Sequence, residues 1–211
     1  MIPKESIDVV ALDWDMTTVD SHGKLLQNLA IAHEFGNKID ENVVRRHWNE
    51  STGFPDLMAR LTNGADFDEI MNVVKRDYNK REYAKQSFSF TKPALQRLRE
   101  KGLKSAIVSG VQGELLHADA ASLDLSLDLF DYVQAQDDCE FKKPDGRVFN
   151  PLLVHFGIAA NRLLYIGDEM KDYRAAQEAG ASFVGVLTGM TTADEFDAVG
   201  ATYVKDLGRI S

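Results

Sequence analysis

The run Val9-Val10-Ala11-Leu12 is wholly apolar, and it stops abruptly at Asp13-Trp14-Asp15. A short continuous apolar run bounded by polar residues is the pattern of a strand buried on both faces. Ser105–Val108, Leu163–Ile166 and Phe183–Leu187 repeat the pattern, each followed by polar or glycine-containing turn residues. A fifth strand is expected at Tyr132–Ala135 and a late one at Tyr203–Val204. The intervening segments carry helical signals. Pro93–Gly102 has proline near its start, basic residues near its end and glycine at the C′ position, and Arg174–Gly180 ends the same way. Strand–helix alternation of this kind predicts an α/β fold with a doubly wound parallel sheet. Reacting groups in such sheets gather beyond the carboxyl ends of the strands, which is where Asp13 and Asp15 fall. Two carboxylates this close repel unless a cation sits with them, and Mg²⁺ suits close-set oxygen ligands.

Residues 19 to 88 read differently. Leu25, Leu26, Leu29, Ala30 and Ala32 recur at helical spacing. So do Val43, Val44 and Trp48, then Leu57, Met58 and Leu61, then Ile70, Met71, Val74 and Tyr78. No strand pattern interrupts them. The expected organisation is a core domain of residues 1–18 and 89–211 with an all-helical domain, residues 19–88, inserted as a cap over the site that the first strand builds. The plainer alternative is that these helices pack on the sheet.

Composition narrows the class. With 211 residues and 44% hydrophobic content, the chain can build one large core, or a core plus a small insert. A net charge of −9 argues against a nucleic-acid or anionic-membrane surface. The single cysteine, Cys139, precludes an internal disulfide and suits a reducing compartment. No stretch approaches the roughly 20 apolar residues of a membrane span, and Met1–Glu5 shows no apolar leader. A cytoplasmic protein is expected, without a nucleic-acid or membrane partner.

Three more constellations accompany the first. Ser109 stands directly after the run ending at Val108 and before Gly110. A hydroxyl there can donate to a phosphate oxygen beside backbone N–H groups, or it can serve as N-cap of a helix over Gln112–Ala121. Lys143 precedes Pro144, whose ring restricts the lysine backbone; Lys142 reads as a solvated lysine. Gly167-Asp168-Glu169-Met170-Lys171-Asp172 follows Leu163–Ile166. Asp168 stands where it can join Asp13 and Asp15 at a metal. Asp172, one helical turn on, can orient Lys143 or a metal-bound water. Glu169 reads as charge at a helix N-terminus.

In this order, Asp-x-Asp, Ser, Lys-Pro and Gly-Asp-x-x-x-Asp resemble the haloacid dehalogenase (HAD) superfamily across essentially the whole chain. Asp13–Ser21, Lys143–Phe149 and Ile166–Gly180 resemble its phosphoglycolate phosphatase/β-phosphoglucomutase-like branch, which carries a helical cap just after the first motif. Gly53-Phe54-Pro55 is similar to the Gly-x-Pro specificity loop of such caps. The resemblance implies phosphoryl transfer from a small phosphorylated substrate through an aspartyl phosphate. Asp13 would be the nucleophile and Asp15 the general acid and base. Mg²⁺ would be held by Asp13, the Asp15 backbone carbonyl and Asp168. Ser109 and Lys143 would bind the phosphoryl group, with Asp172 in support. Substrate discrimination would lie in the cap, around Gly53, Phe54, Arg46 and His22, with Arg45, Trp48 and Arg60 nearby.

Four residues depart from the family pattern. Met16 and Thr18 stand where glycine and leucine are usual, Trp14 where a smaller aromatic is usual, and Gly146 where a second proline is usual. None removes a reacting group. Asp15 argues against dehalogenation, since a leaving halide needs no proton. A phosphosugar mutase and a non-catalytic protein that binds a phosphorylated ligand remain as alternatives to the phosphatase.

Overall fold

The computed structural model describes residues 7–51, 53–77 and 80–210. Tyr78 of the last cap pattern and the Met1–Glu5 leader reading lie outside the described residues. Six strands form one parallel sheet: β1 (Val9–Leu12), β2 (Lys104–Val108), β3 (Tyr132–Gln134), β4 (Leu163–Gly167), β5 (Ser182–Val186) and β6 (Tyr203–Val204). Their order is β3-β2-β1-β4-β5-β6, with β1 central. Leu12 pairs with Ile107 on one side and Ile166 on the other. The carboxyl ends of β1, β2 and β4 therefore lie level, and the residues that follow them share one edge of the sheet.

Both faces of β1 are buried, which is why its sequence does not alternate. Val10 and Leu12 join Ile107, Leu164, Ile166 and Val184 in one core layer. Val9 and Ala11 join Ala106, Val108, Leu163, Tyr165 and Phe183 in the other.

The chain divides into two compact units, Met1–Asp20 with Ser87–Ser211, and Ser21–Gln86. Among the described residues the second holds four α-helices: α1 (His22–Glu34), α2 (Glu41–Glu50), α3 (Phe54–Leu61) and α4 (Phe67–Asp77). Their buried residues follow the helical spacing, with Leu25 and Ile31 in α1, Val44 in α2, Leu57, Met58 and Leu61 in α3, and Ile70 in α4. Asp40 caps α2 by accepting from the Val43 N–H, and Pro55 sits in the first turn of α3. Two-residue strands, Val19–Asp20 and Gln86–Ser87, stand at the two ends of the stretch that reads as helices alone. Two residues carry no periodicity to read.

In the first unit, α5 (Thr91–Glu100) and α6 (Gly113–Ser122) cover the layer of Val10 and Leu12. The opposite layer is covered by α7 (Asn150–Phe156), α8 (Met170–Ala179) and α9 (Ala193–Ala198). Gly102 and Gly180, at φ +74° and +75°, take the left-handed conformation that ends α5 and α8.

Met16 is the main local anomaly. It is buried and has φ +57°, a conformation that costs an L-residue roughly 1–2 kcal/mol. The usual glycine would sit there unstrained but would forfeit the buried side chain, worth about 2–3 kcal/mol. Packing outweighs strain. Both Met16→Gly and Met16→Ala are therefore expected to be less stable than the parent in urea unfolding. Glycine should be the better of the two by about 1 kcal/mol, because only alanine keeps the strain. A glycine variant no more stable than the alanine variant would refute a strained turn.

Candidate active site

Asp13 follows β1 directly and is buried, its N–H donating to the Ile166 carbonyl at 2.9 Å. The threonines after it fix the loop. Thr18 Oγ1 donates to the Asp13 carbonyl at 2.6 Å, and Thr17 Oγ1 donates to Asp168 Oδ1 at 3.0 Å. Thr18 thus makes a bond that the usual leucine cannot. Trp14 packs into the core layer of Leu12, and its Nε1 has no hydrogen-bond partner among the described residues.

Lys143 arrives from the loop after β3, with a cis peptide bond to Pro144. Its Nζ lies 2.7 Å from Asp13 Oδ1, 2.6 Å from Asp172 Oδ1 and 2.8 Å from the Tyr165 hydroxyl. Only 4% of the side chain is exposed. Asp172, in the first turn of α8, accepts from the Glu169 N–H through Oδ2 at 3.0 Å. Gly167 makes room for it, since a Cβ there would stand 2.4 Å from that oxygen. Gly146 is explained similarly. Its N–H donates to Glu178 Oε2 at 2.8 Å, a bond proline cannot make, and a Cβ there would meet Ala179 N at 2.6 Å.

Asp168 is fully buried and held on two sides. Besides Thr17, it accepts from the Met190 N–H at 2.9 Å through Oδ2, and its carbonyl accepts from the Thr191 N–H at 3.0 Å. The Thr188–Thr191 segment after β5 thus wraps this aspartate, and Thr188 Oγ1 also donates to the Met16 carbonyl.

Carboxylate oxygens of Asp13, Asp168 and Asp172 all lie within 4.8 Å of one another. Burial pushes the Asp13 carboxyl up to about 7, the Lys143 charge pulling against it and Asp172 and Glu169 adding to it. Burial likewise pushes Asp168 well above the carboxylate range, with Glu169, Asp172 and Asp13 adding to it. For Lys143, burial disfavours the ammonium, but Asp13 and Asp172 outweigh it and hold the group well above its ordinary value. Lys171 pairs with Glu169 at 2.6 Å. Four buried acids, Asp13, Asp168, Asp172 and Glu169, thus face two ammonium groups. The excess of acids over ammonium groups and the all-oxygen donor set fit a hard divalent cation.

The structure brings Asp13, Asp168, Asp172 and Lys143 together. The Asp15 carboxylate is not part of that buried cluster; the half-buried residue forms a lone bridge with Val19. Ser109 is buried and directly follows β2, the strand beside β1. It is not the N-cap of α6, a position that Gln112 takes. Its Oγ instead accepts from the Val111 N–H at 3.1 Å, leaving the hydroxyl proton out of that bond. In the helical unit, His22 Nε2 lies 3.7 Å from Glu41, Arg46 is exposed on α2, and Gly53 with exposed Phe54 opens α3. Arg60 is tied to Glu50 and Asp56.

The sequence reading misses Tyr165, Thr17 and the Thr188–Thr191 wrap. A tyrosine inside an aliphatic run was the available signal for the first, because a buried hydroxyl needs a partner. Gly189 was the signal for the wrap. A Cβ there would stand 1.9 Å from Asp168 Oδ2. Gly189→Ala is therefore expected to cost about 1–3 kcal/mol of stability by overpacking, read as a lower urea midpoint at unchanged slope. Parental stability would show that the wrap does not press on Asp168.

The chain matches the model of the family described as haloacid dehalogenase-like hydrolase over residues 10–186. A phosphoglycolate phosphatase of Yersinia pestis is 28% identical over 205 residues, covering 90% of this chain and 84% of the relative. Among solved structures, a haloacid dehalogenase-like hydrolase of Bacteroides fragilis superposes with a TM-score of 0.78 at 25% identity, covering 98% of this chain and 100% of that one. CbbY of Rhodobacter sphaeroides, solved in complex with phosphate, shares the fold with a TM-score of 0.74 at 17% identity, covering 97% and 96%. The chain belongs to the haloacid dehalogenase-like hydrolase family, in the branch that holds the phosphoglycolate phosphatases.

Proposed function

We propose that the protein is a Mg²⁺-dependent phosphatase of a small phosphomonoester, working through an aspartyl phosphate on Asp13. The observation that carries this reading is the buried Lys143 ammonium between Asp13 and Asp172, beside the carboxylate of Asp168. A carboxylate held this way can attack phosphorus only where positive charge offsets its own and that of the incoming phosphate.

In the first half-reaction an Asp13 oxygen forms a bond to phosphorus as the ester P–O bond breaks. Asp15 gives its proton to the departing alkoxide. In the second, Asp15 takes a proton from water as that water attacks phosphorus, and the Asp13–phosphorus bond breaks. Phosphate leaves, Asp13 is again a carboxylate and Asp15 is again an acid. Lys143 and the Ser109 hydroxyl hold phosphoryl oxygens, and Asp172 keeps Lys143 in place. Asp13, Asp168 and the Asp15 backbone carbonyl would hold Mg²⁺, which supplies charge neutralisation and orients the phosphate when bound. Discrimination among substrates is assigned to the helical unit, with Gly53, Phe54, Arg46 and His22 as candidates.

Phosphate release is to be measured from a panel of phosphomonoesters with Mg²⁺, with chelator, and in Asp13→Asn. The panel includes phosphoglycolate, sugar phosphates and nucleoside monophosphates. Release from at least one member is expected, abolished by chelator and reduced about 10³-fold or more in Asp13→Asn. No release from any member by folded protein with Mg²⁺ would overturn the reading. Turnover that needs a bisphosphate activator would turn it to a phosphosugar mutase.

A further inference from the structure

All three Lys143 N–H donors are engaged, by Asp13, Asp172 and Tyr165. Holding a phosphoryl oxygen therefore requires one of these bonds to be given up. Two of the partners are themselves anchored. Asp172 is fully buried and fixed through its other oxygen to the Glu169 N–H. Tyr165 is fully buried in β4, and its hydroxyl donates to the Val108 carbonyl at 2.9 Å. Its ring is packed edge-on against Phe149 at 4.7 Å between centroids. Asp13 is the partner whose charge the proposed reaction itself consumes.

We infer that Tyr165 is a positioning residue. With Asp172 it forms a two-point tether that fixes the Lys143 ammonium and leaves its third N–H to pass from Asp13 to the phosphoryl group. The inference rests on the phosphatase reading for its kinetic consequence, but not for the tether. The geometry runs across the sheet. Tyr165 on β4 reaches over β1 to the last residue of β2, so one hydroxyl links the two strands that flank the nucleophile strand. A phenylalanine would fill the same space, leave one N–H of a buried ammonium unmatched and free it to reorient.

Tyr165→Phe tests this. Kinetics on the best phosphomonoester should show kcat down about 10–100-fold, the usual range for loss of a supporting hydrogen bond, with KM within about threefold. A merely structural residue would not split the two. The second measurement needs no turnover. In ¹⁵N-lysine-labelled resting protein, the Lys143 ammonium should give a protected signal with a nuclear Overhauser contact to the Tyr165 hydroxyl proton, and in Tyr165→Phe that signal should shift or exchange away. Parental kcat in a folded Tyr165→Phe overturns the inference, as does an unaltered Lys143 signal. If the variant does not fold, the parent spectrum decides, and absence of the Tyr165–Lys143 contact overturns it. A parent without phosphatase activity sinks the phosphatase reading alone and leaves the spectra to judge the tether.

Discussion

The first unit is organised around one buried ammonium. Taking a lysine head group out of water costs several kcal/mol, which is returned only if every donor is matched. The three groups that match Lys143 come from separate elements: Asp13 after β1, Tyr165 within β4 and Asp172 in the first turn of α8. They meet because β1 and β4 are parallel neighbours in register, so that Leu12 lies opposite Ile166. A shift of one residue in that pairing would turn Tyr165 to the other face of the sheet. Sheet register and charge pairing therefore enforce each other.

The same crowding explains where the backbone approaches closely. Asp172 presses on Gly167, Asp168 on Gly189, and the start of the Gly146–Phe149 segment on the end of α8. In each place the absent Cβ lets a carboxylate or a main chain come within hydrogen-bond reach of a main-chain N–H. Such bonds steady acids that repel one another. They do not offset the crowding of the acids, and burial with mutual repulsion holds Asp13 and Asp168 above the ordinary carboxylate range. A divalent cation held by these acids would offset that repulsion.

Four of the six strands were readable from a continuous apolar run, and the observed bounds of all six differ from the expected ones by at most one residue at either end. Asp13 and Asp168 were readable because each stands just past a strand, Lys143 because it precedes a proline and Asp172 because it lies one helical turn after Asp168, and the fold brings them into one cluster. What could not be read is what depends on distance across the sheet. Tyr165 looks like one more core residue until its hydroxyl is seen against Lys143. Ser109 looks like a helix cap, yet Gln112 takes that place and the serine closes a tight turn instead. The wrap around Asp168 comes from a segment after β5 with no acidic or basic residue to draw attention to it. Short strands at the ends of the helical insert are too brief for any pattern.

The departures from the family pattern fall beside the buried cluster of Asp13, Asp168, Asp172 and Lys143 rather than on its members. Met16 keeps a left-handed backbone without glycine, and its carbonyl is held by Thr188. Thr18 uses its hydroxyl on the Asp13 carbonyl, and Thr17, which is no departure, uses its own on Asp168. Trp14 adds bulk to the core below at the cost of a buried indole N–H, a penalty of roughly 1–3 kcal/mol when such a donor stays unmatched. A loop that gives up glycine's freedom and accepts strain is stable only if its surroundings hold it in place. Here the holding bonds end on Asp13, Met16 and Asp168. Of these bonds only the one from Thr18 to the Asp13 carbonyl depends on a departure from the family pattern; the strained Met16 backbone lies between it and the Thr188 bond.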